Sequence, residues 1–298
     1  MSLSKKIDFA VVFKVVNANP NGDPLNGNRP RTVYEGNGEV SDVCIKRKVR
    51  NRLMEAGQPI FVQSDDNKID KHPSLKARAD EVLSGHKLPD DKAKKACATW
   101  FDVRAFGQLF AFKAASSKKS KSKDKDSEET GEDKGQSIGI RGPVSIQPAF
   151  SLSRVEVTPI QITKSVSSEG DGTKRGSDTM GMKHRVDRGI YVFYGSMNPH
   201  LSAKTGFNDD DAATIKAVLP RLFENDASSA RPEGSMEVLK VIWWQHSSTS
   251  GQASSAKVHR SLTVNDTDDL NGLLSFEPGK GPNDTTGSWP KPEIIDGV

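Results

Sequence analysis

The chain has 298 residues, with 43 lysines and arginines against 39 aspartates and glutamates, a formal net charge of +4 and 34% hydrophobic residues. That length buries a sizeable core, while the modest apolar share leaves much of the chain to surface and loop. Cys44 and Cys97 make neither a metal-binding spacing nor a disulfide framework, which fits a reducing cytoplasm. No stretch approaches the roughly 18 apolar residues of a membrane span. Asp8 and Lys14 interrupt the first apolar run, so it does not read as a signal peptide. The expectation is a soluble, cytoplasmic protein that does not engage a membrane.

Residues 7–17, IDFAVVFKVVN, alternate: Ile7, Phe9, Val11, Phe13 and Val15 share one face, and Asp8 and Lys14 the other. This predicts a strand with one strongly buried side. NANPNGDPLNGNRPR follows as a loop rich in Asn, Gly and Pro, and it carries Asn21, Asn26, Arg29 and Arg31. The segment SDVCIKRKVRNRLMEAG predicts a helix capped by Ser41 or Asp42 and ended by Gly57. Ile45, Val49 and Leu53 form its core stripe; Lys46, Arg47 and Arg50 project to one side, Lys48 and Arg52 to the opposite flank.

Residues 58–96 are helical in tone and read as an inserted lobe. WFDVRAFG, at 100–107, reads as a buried strand returning to the main sheet. Residues 114–137 are lysine-rich, then acidic, with almost nothing to bury, and are expected to be a flexible insertion. Residues 138–163 predict two strands. A polar, glycine-rich excursion at 165–181 and a strand at 182–195 then complete a long hairpin. Asn208–Glu224 predicts a helix with Ile215, Val218, Leu219 and Leu222 inward and a kink at Pro220. Met236–Gln245 predicts a strand, and two weaker β runs follow at 257–264 and 270–276. The order β (7–17), α (41–55), β (100–106), β (186–194), α (208–224), β (236–245) is βαββαβ, the ferredoxin-like plan of an α+β fold.

Cations in a row suit a phosphate backbone, which takes charge and N–H donors without being read for sequence. Lys46, Arg47 and Arg50 are candidates, against the plainer reading of a solvated amphipathic helix. Arg29 and Arg31 follow a Gly/Asn loop whose backbone can approach a phosphate closely; a plain surface turn is the alternative. Arg104 and Arg141 sit among apolar neighbours and need an anion, a carboxylate for preference at Arg104 and RNA at glycine-flanked Arg141. Met180 and Met182 can wedge between bases or pack on the sheet, with Lys183, His184 and Arg185 beside them for phosphates. Trp243 and Trp244 can stack bases, although their strand is so apolar that at least one belongs in the core.

Several chemistries find no motif. EGDGTKRGS, at 169–177, fails the phosphate-loop pattern because Arg175 follows Lys174, and no GxGxxG, HExxH or GxSxG occurs. None of six histidines forms an i, i+4 pair, so no metal site and no cofactor are expected. The aromatic pattern of ordinary RNA-recognition motifs is also missing.

VVNANPNGDP (15–24), VCIKRKVRNRL (43–53), FDVRAFG (101–107), IRGPVSIQPAFS (140–151) and MGMKHRVDRGIY (180–191) together resemble, in order, the backbone subunit of CRISPR Cascade complexes, best its type I-C-like branch. The resemblance covers roughly the first two-thirds of the chain. It implies a RAMP-type fold: a ferredoxin-like, modified RNA-recognition-motif palm with an inserted helical finger lobe and a β-hairpin thumb. Palm falls at 1–56 and 100–112, finger at 57–99, the flexible insertion at 113–139, palm or web at 140–156, thumb at 157–185, and the rest of the palm with a C-terminal extension at 186–298. It implies a non-catalytic subunit that polymerises head to tail with its own copies along a CRISPR RNA. The thumb displaces a base at intervals, the guide is presented to target DNA, and other Cascade subunits cap the ends. The RNA-binding set implied is Asn21, Asn26, Arg29, Arg31, Lys46, Arg47, Arg50, Arg104, Arg141, Lys183, His184 and Arg185, with Met180 and Met182 as the base wedge. A RAMP-type RNA-processing endoribonuclease is the alternative, with His184 as its one candidate base. Related subunits that cut target RNA use an aspartate in the region where Asp23 and Asp42 lie here, and nothing around either marks it as catalytic.

Overall fold

The computed structural model describes residues 2–86, 88–112, 136–163, 180–283 and 288–298. In chain order its strands and helices open with β1 (Ile7–Ala18), β2 (Gly22–Asp23), β3 (Arg29–Pro30), β4 (Asn37–Val40) and α1 (Asp42–Glu55). The lobe follows with α2 (Leu75–Leu83), α3 (Pro89–Thr99), α4 (Phe101–Phe106), β5 (Gly107–Phe112) and β6 (Gln136–Arg141). Next come β7 (Val144–Ile146), β8 (Ala149–Arg154), β9 (Val157–Thr163), β10 (Met180–Met197), α5 (Pro199–Thr205), α6 (Asp209–Val218) and β11 (Met236–Gln245). The chain closes with α7 (Ser255–Arg260), β12 (Leu262–Val264), β13 (Leu274–Phe276) and β14 (Pro292–Asp296).

One large antiparallel sheet runs β14-β11-β1-β10-β8-β4, with β7 and β9 also pairing along β10. Its centre is β1, whose β-branched and aromatic residues suit a pleated, enclosed position. It pairs with β10 from Ile7↔Met197 to Ala18↔Val186 and with β11 from Ile7↔Gln245 to Val15↔Met236. On one face Phe9, Val11, Phe13 and Val15 meet Ile45, Val49 and Leu53 of α1 and Ala212 and Ile215 of α6. Phe9 stacks on Trp243 at 5.7 Å and Phe13 on Tyr191 at 5.3 Å. The other face is buried too: Ala10, Val12, Ile190, Ile242 and Trp244 lie under Val258, Leu262 and Leu273 of the C-terminal segment. The expectation of one buried side for β1 is therefore corrected. Asp8, read as facing out, is fully buried.

The helix at 41–57 forms as its caps dictate. Ser41 Oγ accepts the Cys44 N–H at 3.3 Å, and Gly57 takes the left-handed φ of 79° just past the last turn. The strand expected at 100–106 is a helix, α4, which ends at Gly107, φ 82°, where β5 begins. A short apolar run does not separate the two states by periodicity; burial of both Phe101 and Ala105, one helical turn apart, is what the fold selects. The sheet strand between α1 and β10 is instead β8, and 138–163 holds pieces of four strands rather than two. The helix from 208 is capped by a reciprocal Asn208–Asp211 box and passes at Leu219–Arg221 into a 3-10 turn around Pro220. The run at 257–264 is mostly helix α7, with only β12 extended.

The lobe has its own core, in which Phe61, Leu83, Trp100 and Val103 pack with Phe110 and Ile138 of the β5–β6 ribbon. The low-complexity insertion up to residue 135 and the glycine-rich excursion from 164 to 179 lie outside the described residues.

Gly195 tests how tightly the central face is packed. A Cβ there would fall 2.1 Å from the tip of the Phe9 ring, itself fully buried against Trp243. Gly195→Ala is expected to cost about 1–3 kcal/mol by overpacking, read as a lower thermal midpoint by circular dichroism. An unchanged midpoint would show that the face has room to spare.

Candidate nucleic-acid interface

Apart from Lys46, the cations of α1 are engaged within the protein. Arg50 donates from Nε to Asp102 Oδ2 at 2.9 Å and lies 5.1 Å over the Phe106 ring. Asp102 is fully buried and also accepts the backbone N–H groups of Phe61 at 2.7 Å and Val62 at 3.1 Å. Arg47 donates to the Val62 carbonyl at 2.7 Å. Lys48 is buried against Asp226, which also accepts from Arg231 at 3.0 Å. Burial pushes the Lys48 ammonium below its usual pKa, against the pull of Asp226. Arg52 pairs with Glu55. Lys46 makes a surface pair with Asp42 at 2.9 Å, which contributes little and yields easily to another anion. Arg104 grips Asp211 with two hydrogen bonds of 2.9 and 2.7 Å, joining α4 to α6. The carboxylate reading holds there.

A different set of polar groups gathers where the loop after β1 meets the hairpin. Asn21 Oδ1 accepts both the N–H and the hydroxyl of Ser41 at 2.9 Å, so it fastens this loop to the start of α1. Asn19 donates to the Asn28 carbonyl at 2.7 Å, and Asp23 accepts from the Leu25 N–H at 3.2 Å. Gly27 and Asn28 turn at φ 57° and 56°, the left-handed pair that lets β2 and β3 close. A Cβ on Gly22 would fall 1.9 Å from Asn28 Oδ1. This construction leaves Asn26 and Arg29 exposed and without a partner among the described residues. Arg31 keeps a long 3.5 Å contact with Asp23, and its Nε is buried without a hydrogen bond.

The short strand β3 packs against β10. There β9 and β10 form an antiparallel hairpin from Val157↔Val186 out to Thr163↔Met180. Lys183 on it has no carboxylate partner among the described residues, and Arg185 reaches Asp187 only at 3.4 Å. His184 is buried, with Nδ1 unpaired. Met180 and Met182 are 67% and 56% exposed near the far end of the ladder, so they do not pack on the sheet. Arg141 is exposed but elsewhere, at the end of the β5–β6 ribbon against α3, α4 and α5. Trp243 and Trp244 are both core, one under each face of the sheet, and neither can stack a base.

Acid–base machinery is sparse near this site. Asp23 caps a turn and Asp42 pairs with Lys46. Among the described residues no group of three His, Cys, Asp or Glu side chains is placed to hold a metal ion. The tightest carboxylate–imidazole pair is Asp8 Oδ2 with His246 Nε2, at 2.8 Å, and both are sealed in the core. His246 Nδ1 accepts the Gln252 N–H at 3.0 Å, so Nε2 carries the proton. Burial pushes the Asp8 carboxyl up, and the bond to His246, helped by Ser255 and Lys6, brings it below the usual range. This pair ties the C-terminal segment to β1 and is out of reach of any substrate. Sequence reading missed it, although an aspartate inside an apolar strand was its signal.

The family model described as CRISPR-associated protein Cas7 matches residues 5–278, and the chain belongs to that family. A curated relative, CRISPR-associated protein Cas7 of Haloferax volcanii, is 29% identical over 239 residues, covering 77% of this chain and 67% of the relative. Two similar solved chains come from structures titled as CRISPR RNA-guided surveillance complexes. The first, a pre-nicking state, is 16% identical with a TM-score of 0.44, covering 80% of this chain and 77% of that one. The second is 17% identical with a TM-score of 0.42, covering 89% and 78%.

Because Arg50 and Asp102 satisfy each other in the interior, Arg50→Ala is expected to cost about 3–5 kcal/mol by leaving a buried carboxylate unpaired. A chemical denaturation midpoint within error of the parent would return Arg50 to the pool of free surface cations.

Proposed function

We propose that this Cas7-family chain is a non-catalytic backbone subunit of a CRISPR Cascade surveillance complex, of the type I-C-like branch. It holds a CRISPR RNA by its phosphates along the loop 19–31 and the base of the β9–β10 hairpin. The observation that carries this reading is the contrast between cations. Those of α1 and α4 are matched by internal carboxylates or carbonyls. Among the described residues Arg29 and Lys183 have no internal anion, and Arg31 and Arg185 have only long contacts. Charges left uncompensated at one junction, beside helices whose cations are paired, fit a polyanion track.

The architecture supports the finer assignment. The strand order β11-β1-β10-β8, with α1 and α6 together on one face, supports a ferredoxin-like palm. The lobe around Phe61, Trp100 and Phe110 serves as the finger and the β9–β10 hairpin as the thumb. Met180, Met182 and Ile162, all well exposed there, are apolar enough to part stacked bases. With both faces buried at the centre of the sheet, base stacking there is closed off. That suits a holder that must accept any guide sequence and present it, unstacked, to target DNA. Copies of the same chain stacked head to tail, with other subunits at the ends and the whole in the cytoplasm, complete the proposal. The processing-nuclease alternative gains nothing here, because among the described residues buried His184 has no acidic partner and its Nδ1 is left unpaired.

The test is binding of labelled single-stranded guide transcripts over a range of salt concentrations. For Arg29→Ala, Lys183→Ala and Arg185→Ala combined, affinity is expected to fall alike for unrelated guide sequences. The log–log salt slope should shrink by about 0.7 for each phosphate no longer neutralised. A folded triple variant with the parent's affinity and slope would remove this junction from the RNA path.

A further inference from the structure

The turn between β12 and β13, residues 265–273, is the most acidic stretch of the C-terminal segment, with Asp266, Asp268 and Asp269. Its shape is fixed from within. Asn265 donates its N–H to the Leu273 carbonyl and its side-chain amide to the Gly272 carbonyl, both at 2.8 Å, and Leu273 is buried under the sheet. Two of its carboxylates reach back over the sheet. Asp268 Oδ1 lies 2.8 Å from Lys14 Nζ on β1 and 3.2 Å from an Arg188 nitrogen on β10. Asp266 accepts from the other Arg188 nitrogen at 2.9 Å and from the Ser153 hydroxyl on β8.

Three neighbouring strands thus present an ammonium, a guanidinium and a hydroxyl to one spot, and the chain's own carboxylates fill it. This is the donor set of a phosphate subsite: a planar fork, a point charge and a hydroxyl. It sits next to the proposed RNA path, because Arg188 lies two residues along β10 from Val186, where the β9 ladder ends. The occupancy is not a core necessity. Arg188 is 39% exposed and Asp268 is 61% exposed, so water already reaches the pairs. Ser153 and then Arg188 hold the Asp266 carboxyl below its ordinary range, and Lys14 with Arg188 do the same for Asp268, so both stay charged at neutral pH.

We propose that Lys14, Arg188 and Ser153 form a subsite for a nucleic-acid phosphate, and that the acidic turn 265–273 occupies this subsite as an intramolecular competitor. The inference rests on the RNA-binding reading above. Tethered in the same chain, the carboxylates act at an effective concentration on the order of millimolar. They therefore exclude stray anions and short oligonucleotides, and yield only to a polyanion already held by the cations of the adjacent junction. The turn acts as a threshold on loading: a long guide displaces it and a fragment does not.

The experiment compares the parent with Asp266→Asn/Asp268→Asn for binding of single-stranded RNA at several salt concentrations. Folding is checked by thermal melting. The double variant is expected to bind roughly three- to tenfold more tightly, with a salt slope steeper by about 0.7 per phosphate admitted. The gain should be greatest for short oligonucleotides and should vanish when Arg188→Ala is added. A folded double variant with the parent's affinity and slope, or weaker binding, overturns the proposal and leaves the turn as a plain clamp. If the double variant does not fold, Asp268→Asn alone is measured in the same way: tighter binding supports the competitor, and unchanged or weaker binding overturns it. A parent protein that binds no RNA at all would instead sink the proposed function, so the two failures are distinguishable.

Discussion

Everything in this molecule is arranged around a strand that has no free side. Burial of β1 on both faces, between α1 and α6 above and the C-terminal segment below, leaves the centre of the sheet closed to a ligand. An antiparallel sheet commonly keeps one face wet, and single-stranded nucleic acid is often bound there by stacking on aromatics. Here the aromatics at the centre of the sheet are buried in its core. Phe9 lies on Trp243 and Phe13 on Tyr191, and Trp244 is sealed under the opposite face. Any grip on a polymer has to come from the rim: loops, strand ends and the hairpin that outruns the sheet. A rim of this kind offers charges and N–H donors rather than flat surfaces, so the binding it supports is indifferent to base identity.

That constraint also explains where the arginines go. A helix packed on a sheet must carry something on its flanks, and α1 carries cations that anchor an inserted lobe. Asp102 is the hub. It takes Arg50 and two consecutive backbone N–H groups, at Phe61 and Val62, which are the donors that would otherwise be orphaned as the chain passes from α1 to the lobe. Arg47 then meets the Val62 carbonyl from the same helix. Buried pairs of this type add little net stability relative to an apolar substitute, but breaking one is costly. The result is an orientation device between the lobe and the sheet. Lys48 with Asp226 and Arg231 performs the same task for the segment before β11.

Much of the fold was legible because it rests on periodicity and caps. The strand at 7–17, the helix begun by Ser41, the helix from Asn208 and the strand at 236–245 all declare themselves by alternation, by a 3.6-residue stripe or by a capping residue. What failed was local and had a physical reason. WFDVRAFG is too short for its period to be read, and only the long-range contacts of Phe101 and Asp102 make it a helix. The basic side of α1 looked like a binding surface because composition records charges and not their partners. Asp102 lies 52 residues from Arg50, and Asp211 lies 107 from Arg104. The loop arginines are less committed within the chain. A loop dense in Gly and Asn has already committed its own polar groups to its turns, as Asn19, Asn21 and Asp23 do here, and it leaves the following cations over.

The C-terminal segment had no pattern that spoke for itself, and its part emerges from what it covers. By closing the lower face of the sheet it removes an aromatic surface that would bind unfolded or foreign strands without selection. By holding Lys14 and Arg188 with carboxylates it removes two cations from the same general attraction. On the proposed reading, a protein that accepts every guide sequence does not discriminate through bases, and its selectivity comes from length and continuity of charge. Lending part of the cationic track to an internal competitor is one way to obtain that. Each tethered carboxylate subtracts a fixed increment from the affinity for any anion, and only a chain long enough to engage several free cations at once makes up the difference.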